Sequence, residues 1–299
     1  MDSVLDRLRS DVLTAIARRK DRECSHPGGN PASPSIFLTS TVNAGKSTLL
    51  NALAGQFVCP VGNLPSGKVM RAVASKEMND GRIGVYGRRA VPCAGPEDIR
   101  TAVPGDDGLV WVNSYFYGAM RGMCQIWYDS PGSNTASGLV TEKALRQLQY
   151  DLIVYLLNAE QLATHDDREH LKYVASLSGY APVLFVLNKV DRLNPEEDGS
   201  VSSMIRRMDK DLRSLGFDCP LICPLSAKAA YLARMRSTRT RQEEKDFLYY
   251  ADMLAANSLA LWYRRSFPYL LIAKGTSVET GLLDDCGFAG FESVLSYIL

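Results

Sequence analysis

Ser40-Thr-Val-Asn-Ala-Gly-Lys-Ser47, running on into Thr48-Leu-Leu-Asn-Ala-Leu53, is the stretch that decides the fold. The apolar run Ile36–Thr39 before it reads as a short strand, and Lys46–Gly55 reads as a helix. A strand, a glycine-bearing loop and a helix that opens on Lys-Ser form a cradle for phosphate. Loop amides and the helix N-terminus converge there on one anion. Thr41, Val42, Asn43, Ala44, Gly45 and Thr48 supply the loop and the first helical turn. Lys46 is expected to reach the β- and γ-phosphates of a nucleotide, and Ser47 to offer its hydroxyl to Mg²⁺. The motif begins on Ser40, where the usual pattern has a glycine that permits a tight turn.

Three further motifs follow in order, each after an apolar strand. Asp129-Ser-Pro-Gly132 ends the run Cys124–Asp129. A strand-end aspartate there can hold Mg²⁺, and Gly132, lacking a side chain, can bring its amide to a γ-phosphate. Asn188-Lys-Val-Asp191 ends the run Pro182–Asn188. The Asp191 carboxylate can accept from both the N1–H and the exocyclic amine of guanine, a donor pair that adenine lacks. Lys189 can lay its methylene stem over the base. Ser226-Ala227-Lys228 follows the run Leu221–Leu225, and a backbone amide there can bind the guanine O6. All four belong at strand carboxyl ends, where open α/β sheets bind ligands. The expected ligands are GTP and GDP, with Mg²⁺.

The rest of the chain fits this frame. With 299 residues it has room for one large domain or two small ones, and the motif spacing uses nearly all of it as one. A hydrophobic fraction of 46% and a charged fraction of 22% exclude disorder as the main state. A net charge of +1 argues against a dominant nucleic-acid surface, so no nucleic acid is expected as partner. The seven cysteines are odd in number and form no tight CxxC pair, which suits free, mostly buried thiols in a reducing cytosol. No signal peptide and no membrane-spanning run is evident, so the expected location is cytoplasmic.

Residues 2–20 read as an amphipathic helix on Val4, Leu5, Leu8, Val12, Leu13 and Ile16. The expected organisation is therefore an N-terminal helix and linker over 1–33 and one nucleotide-binding domain over 34–299. Arg82–Tyr86, Leu109–Asn113 and Leu152–Leu157 read as further strands. Leu139–Gln149, Thr164–Ser176 and Val201–Leu215 read as helices. This alternation predicts an α/β fold, a mostly parallel central sheet flanked by helices.

The four motifs resemble those of P-loop GTPases, and more narrowly the G domain of dynamin-like proteins. The loop Val-Asn-Ala-Gly-Lys-Ser-Thr-Leu-Leu-Asn-Ala-Leu-Ala-Gly is similar to theirs. So are the run Val58–Ser66, Asp-Ser-Pro-Gly-Ser-Asn, and the Asn158-Ala-Glu-Gln-Leu-Ala-Thr-His segment. The resemblance covers about 36–299, with a helical insertion over 229–275 after the last base-binding motif and a closing helix over 289–299. It implies GTP hydrolysis coupled to face-to-face pairing of G domains, as a homodimer or with a dynamin-like partner. It also implies a part for Asn43 and the Thr41–Val42 backbone in the transition state. In that family a switch threonine binds Mg²⁺ and positions water. The matching stretch Pro65-Ser66-Gly67-Lys68 has no threonine, so either Ser66 supplies the hydroxyl or Gly67 holds the position and hydrolysis is slow. Dynamin-like proteins usually continue into a stalk and a membrane-binding tip, for which this chain has no room. Contact at the membrane periphery is thus what the family suggests, and not something these residues show.

Other features carry less. His165 and His170 are five apart, off a common helical face, which disfavours a metal. Arg234 to Arg241 is a locally basic run, read first as a solvated helix end and second as an anionic contact. Leu259–Leu271 reads as helix packing with a break near Pro268. Two rival functions stand beside the leading one: a GTP-binding regulatory module with little turnover, and a ribosome- or RNA-associated GTPase.

Overall fold

The computed structural model describes residues 2–20, 33–41, 43–61, 69–131, 147–160, 164–177, 181–193, 199–272 and 274–299. The expected roles of Val42, Ser66 and Gly132, and all of the Leu139–Gln149 helix before Gln147, lie outside them.

A nine-stranded sheet runs through the molecule in the order β4-β3-β5-β2-β6-β1-β7-β8-β9. Its strands are β1 (Ser35–Ser40), β2 (Met70–Lys76), β3 (Gly84–Tyr86), β4 (Ala90–Val91), β5 (Leu109–Tyr115), β6 (Ile126–Asp129), β7 (Leu152–Asn158), β8 (Val183–Asn188) and β9 (Leu221–Pro224). From β6 to β9 every neighbouring pair is parallel. Those strands read as unbroken apolar runs because both faces are covered: every residue of β1 and β7 is buried. This is the α/β architecture of a P-loop GTPase G domain.

The other half of the sheet departs from the sequence reading. β2 was not expected, and it pairs antiparallel with β6 and parallel with β5. Its apolar pattern is interrupted by Arg71 and followed by Lys76, so hydrophobicity alone does not mark it. Arg71 is nevertheless buried, with Asp129 its partner in the register. β3 and β4 extend this half in antiparallel fashion, and the helix α3 (Pro96–Thr101) packs beyond them. α3 carries Pro96 at its first position and Asp98 accepting the Gly95 N–H at 2.8 Å, a start signal present in the sequence.

The remaining helices are α1 (Asp2–Lys20), α2 (Lys46–Ala54), α4 (His165–Leu177), α5 (Val201–Ser214), α6 (Ala227–Arg234), α7 (Arg241–Ala256), α8 (Ala260–Ser266), α9 (Val278–Asp285) and α10 (Phe288–Ile298). α1 packs on α10: Leu5, Leu8, Val12 and Ile16 are buried, the Tyr297 hydroxyl donates to Asp6 Oδ1 at 2.6 Å, and Arg9 lies 4.5 Å over the Tyr297 ring. Leu13, expected on the same stripe, is instead 48% exposed.

Three of the four arginines in the basic run are paired with carboxylates. Arg234 pairs with the buried Glu292 at 2.6 Å, and Arg236 with Glu279 at 3.0 Å. Arg239 meets Glu244 at 3.0 Å while stacking 3.8 Å over Phe247. Trp262, Tyr263 and Phe267 pack as expected around the break at Pro268, but Leu271 stands fully in solvent. Cys59, Cys223 and Cys286 are buried free thiols, whereas Cys93 is exposed. No described helix is long and apolar enough to cross a membrane.

Candidate functional site

The motif residues meet at the carboxyl ends of β1, β6, β7, β8 and β9. β1 lies between β6 and β7, so the loop after Ser40 rises from inside the parallel half. α2 begins directly from that loop with Gly45 as its cap, in the left-handed region at φ 96°. A Cβ at Gly45 would also collide with the Asn188 amide nitrogen. That position requires glycine twice over, for its backbone angle and for the closeness of β8. Asn43 also has positive φ, 62°, and lies exposed on the rim of the loop.

Lys46 is buried, and its ammonium donates to the Ser40 hydroxyl at 2.8 Å. The Ser40 hydroxyl in turn donates to the Thr41 carbonyl at 2.6 Å. Ser40 is the last residue of a strand, with an extended backbone, so the usual glycine is not needed for conformation there. What the substitution adds is an oxygen that receives the lysine. Burial pulls the Lys46 ammonium below its ordinary value, and the Asp129 carboxylate acts the other way.

The Ser47 hydroxyl donates to Asp129 Oδ2 at 2.9 Å, which joins two motifs that are 82 residues apart. Asp129 is buried, and its Oδ1 has no hydrogen-bond partner among the described residues. Burial raises its carboxyl above the usual range, opposed by Lys46, Ser47 and Arg71. A buried carboxylate oxygen without a donor, beside a serine hydroxyl, fits a hard divalent cation that takes oxygen ligands and completes its shell with phosphate and water. Among the described residues no cluster of three His, Cys, Asp or Glu offers a competing all-protein metal site.

Arg71 is the residue that sequence reasoning missed at this end. It faces Asp129 across the β2–β6 pair and is buried with it. A lone arginine in an apolar strand run was its only signal, since a buried guanidinium requires an anion. Asn51, one turn beyond the Lys-Ser pair, is also buried. Its side chain accepts the Val58 and Cys59 amides, each at 2.8 Å, and donates to the Cys59 carbonyl at 2.8 Å. His170 on α4 was considered for metal. Instead its Nε2 lies 3.1 Å from the Thr39 hydroxyl, beneath the loop. Burial, helped by the nearby Lys46 charge, lowers its imidazole to about 4, so it is neutral at ordinary pH.

At the other end, Asn188 works as a tie. Its Nδ2 donates to the Ala44 carbonyl at 2.7 Å and its Oδ1 accepts the Ala227 amide at 2.9 Å, which fixes the phosphate loop to the last motif. Lys189 adopts φ 65° and its ammonium pairs with Glu160 at 2.7 Å. Asp191 sits in a 3-10 turn, Val190–Arg192, with its side chain only 4% exposed and Arg192 Nε 3.6 Å away. Ser226 caps α6, accepting the Ala229 amide at 3.2 Å, and its own amide donates to the Cys286 carbonyl at 3.0 Å. Two amides of the Ser226–Lys228 motif are thus engaged by the protein, which leaves Lys228 as the third candidate donor.

Comparison with known proteins agrees with this fold. A family model for the 50S ribosome-binding GTPases matches residues 35–189. The mitofusin FZO1 of Saccharomyces cerevisiae is 25% identical over 215 residues, covering 62% of this chain and 24% of the mitofusin. Among solved structures, one from an oligomerised bacterial dynamin pair, described as sensing and tethering membranes, aligns with a TM-score of 0.51 at 14% identity. That alignment covers 90% of this chain and 49% of the other. Aquifex aeolicus Era bound to GDP and AlF4⁻ aligns at a TM-score of 0.39 and 20% identity, over 64% of this chain and 50% of that one. The chain thus spans about a quarter of the mitofusin's length and about half of the dynamin's.

Proposed function

The chain belongs to the 50S ribosome-binding GTPase family, and from that premise we propose that it binds GTP with Mg²⁺ and hydrolyses it in a dynamin-like, pairing-dependent cycle. The observation that carries this reading is the Ser47–Asp129 hydrogen bond, which joins two motifs at the ends of the adjacent parallel strands β1 and β6, next to the buried Lys46.

In this reading the amides over residues 43–48 and the start of α2 receive the phosphates, and the Lys46 ammonium moves from the Ser40 hydroxyl to the β- and γ-phosphate oxygens. Ser47 and Asp129 would hold Mg²⁺, which would supply charge neutralisation at the phosphates. Arg71 keeps the buried Asp129 charge compensated from β2. Asn188 holds the phosphate loop and the base loop at a fixed separation. Asp191 reads the two guanine donors, Lys189 covers the base, and an amide of Ser226–Lys228 meets O6. Attack by water on the γ-phosphate needs little covalent help, so positioning and charge stabilisation supply most of the acceleration. Asn43, exposed on the rim of the loop, acts on the transition state in a paired domain in this proposal. Ser66 and Gly132 carry the switch roles of the motif in this proposal.

The partner is a second copy or a dynamin-like protein. With three of its four arginines paired to carboxylates, the basic run gives little support to the RNA-associated alternative. The low-turnover alternative rests on Pro65-Ser66-Gly67-Lys68, which lacks threonine. Phosphate release from GTP and from ATP, followed over a range of protein concentrations, tests all of this. GTP turnover per molecule is expected to rise with concentration, ATP to be ignored, and Lys46→Ala to abolish release. Equal use of ATP overturns the guanine assignment. Concentration-independent turnover overturns the pairing, and saturable GTP binding without phosphate release selects the low-turnover reading.

A further inference from the structure

Lys189 is anchored by a residue outside the motif to which it belongs. Its backbone sits in the left-handed region at φ 65°, just before the 3-10 turn Val190–Arg192, so the direction in which its side chain leaves the chain is fixed. The long stem beyond Cβ is not fixed by that, because a lysine has many rotamers. Its ammonium donates to Glu160 Oε2 at 2.7 Å, which links the end of β8 to the turn that follows β7.

That turn is itself tied to the end of β8. Asn158 and Asn188 are partners in the parallel register, and the Ala159 amide donates to the Asn188 carbonyl at 3.0 Å. The Glu160 amide donates to Oδ1 of the buried Asn158 at 3.1 Å. Glu160 is thus held at its backbone by contacts between the two strand ends, and its carboxylate meets the lysine that follows Asn188. The Lys189 and Glu160 side chains are 27% and 42% exposed, which makes the pair a poor source of folding stability. Its effect is on where the stem lies.

We propose that Glu160 is a positioning residue for base recognition: it holds the Lys189 ammonium so that the methylene stem lies ready as a cover for the face of guanine. The inference rests on the reading of Lys189 as the residue that covers the base. A free stem gives up its rotamers when the nucleotide arrives, and Glu160 removes part of that entropy beforehand. The ammonium keeps its carboxylate partner while carbon meets the ring. The stem touches the ring face and not its donor edge. Glu160 therefore acts on affinity, and not on the choice between purines that differ at that edge.

The test uses the full chain with GDP and with inosine diphosphate, which lacks the exocyclic amine, titrated by calorimetry at low and at high salt. Glu160→Ala is expected to weaken both ligands by the same factor, roughly threefold to fivefold at low salt and less at high salt, since salt screens the pair. In a Lys189→Met background, which keeps a stem and lacks the ammonium, Glu160→Ala changes nothing further. Unchanged or tighter binding in Glu160→Ala, an altered ratio between the two ligands, a loss that salt does not reduce, or the same loss in the Lys189→Met background would each overturn the proposal. Lys189→Ala separates its failure from that of the underlying reading. A loss of about tenfold for GDP in Lys189→Ala, with none in Glu160→Ala, sinks this inference alone. No loss in Lys189→Ala sinks both.

Discussion

The phosphate end and the base end of the site are built in different ways. The phosphate end is compact along the chain: Ser40, Lys46 and Ser47 lie on one strand–loop–helix unit, with Asp129 and Arg71 brought in by neighbouring strands. The base end is assembled from distant segments: Asn188 ties the Ala44 carbonyl to the Ala227 amide, and the Ser226 amide reaches the Cys286 carbonyl. Where local chain geometry fixes a site, a short motif describes it. Where tertiary packing fixes it, a motif names the reading groups but not what aims them.

Gly45 is where the two ends touch, and altering it should have the largest effect. Gly45→Ala places a Cβ at positive φ and against Asn188, the residue that ties both loops. A loss of about 3 kcal/mol or more in stability is expected, together with loss of nucleotide binding. Denaturant unfolding and GDP titration check it, and a variant that binds normally would mean that the ends are not mechanically joined.

His170 tests the phosphate end alone through pH. Its pKa in the folded protein is lowered to about 4, below the ordinary value of 6.5. Above pH 6.5 both folded and unfolded states are neutral there and nothing changes. As pH falls from 6.5 towards 4 the unfolded chain takes up a proton that the buried imidazole refuses, so stability declines, by up to about 3 kcal/mol. His170→Gln should flatten that part of the stability–pH curve. An unchanged slope would show that the histidine is not held neutral beneath the loop.

Ser40→Gly is the mildest change and the sharpest for this region. Removing the hydroxyl frees the Lys46 ammonium, at a cost of roughly 0.5–1 kcal/mol in backbone freedom. GTP affinity is expected to rise about threefold, on the scale of one modest hydrogen bond. Weaker GTP binding would show that Ser40 assists the lysine and does not compete with phosphate.

Much of the fold was legible because its signals are local. The parallel strands β1, β6, β7, β8 and β9 are uninterrupted apolar runs, and each is followed by polar, glycine-bearing or capping residues. β2 was not legible. Arg71 breaks its pattern, and the residue is tolerated only because antiparallel pairing sets it opposite Asp129. Leu13 and Leu271 show the converse: both are apolar, yet both face solvent, since helical periodicity and hydropathy state a preference and not a neighbour.

The amino-acid order by itself determined the phosphate loop, the strand–helix alternation and the identity of the groups that meet phosphate and base, because each depends on residues within one or two turns of chain. Only the tertiary structure decided which strand lies beside β6, which cation faces Asp129 and which carbonyl meets the Ser226 amide. Those outcomes depend on strand register and helix packing between segments tens of residues apart, where the energy of burying a charge or a hydroxyl is set by the partner it finds.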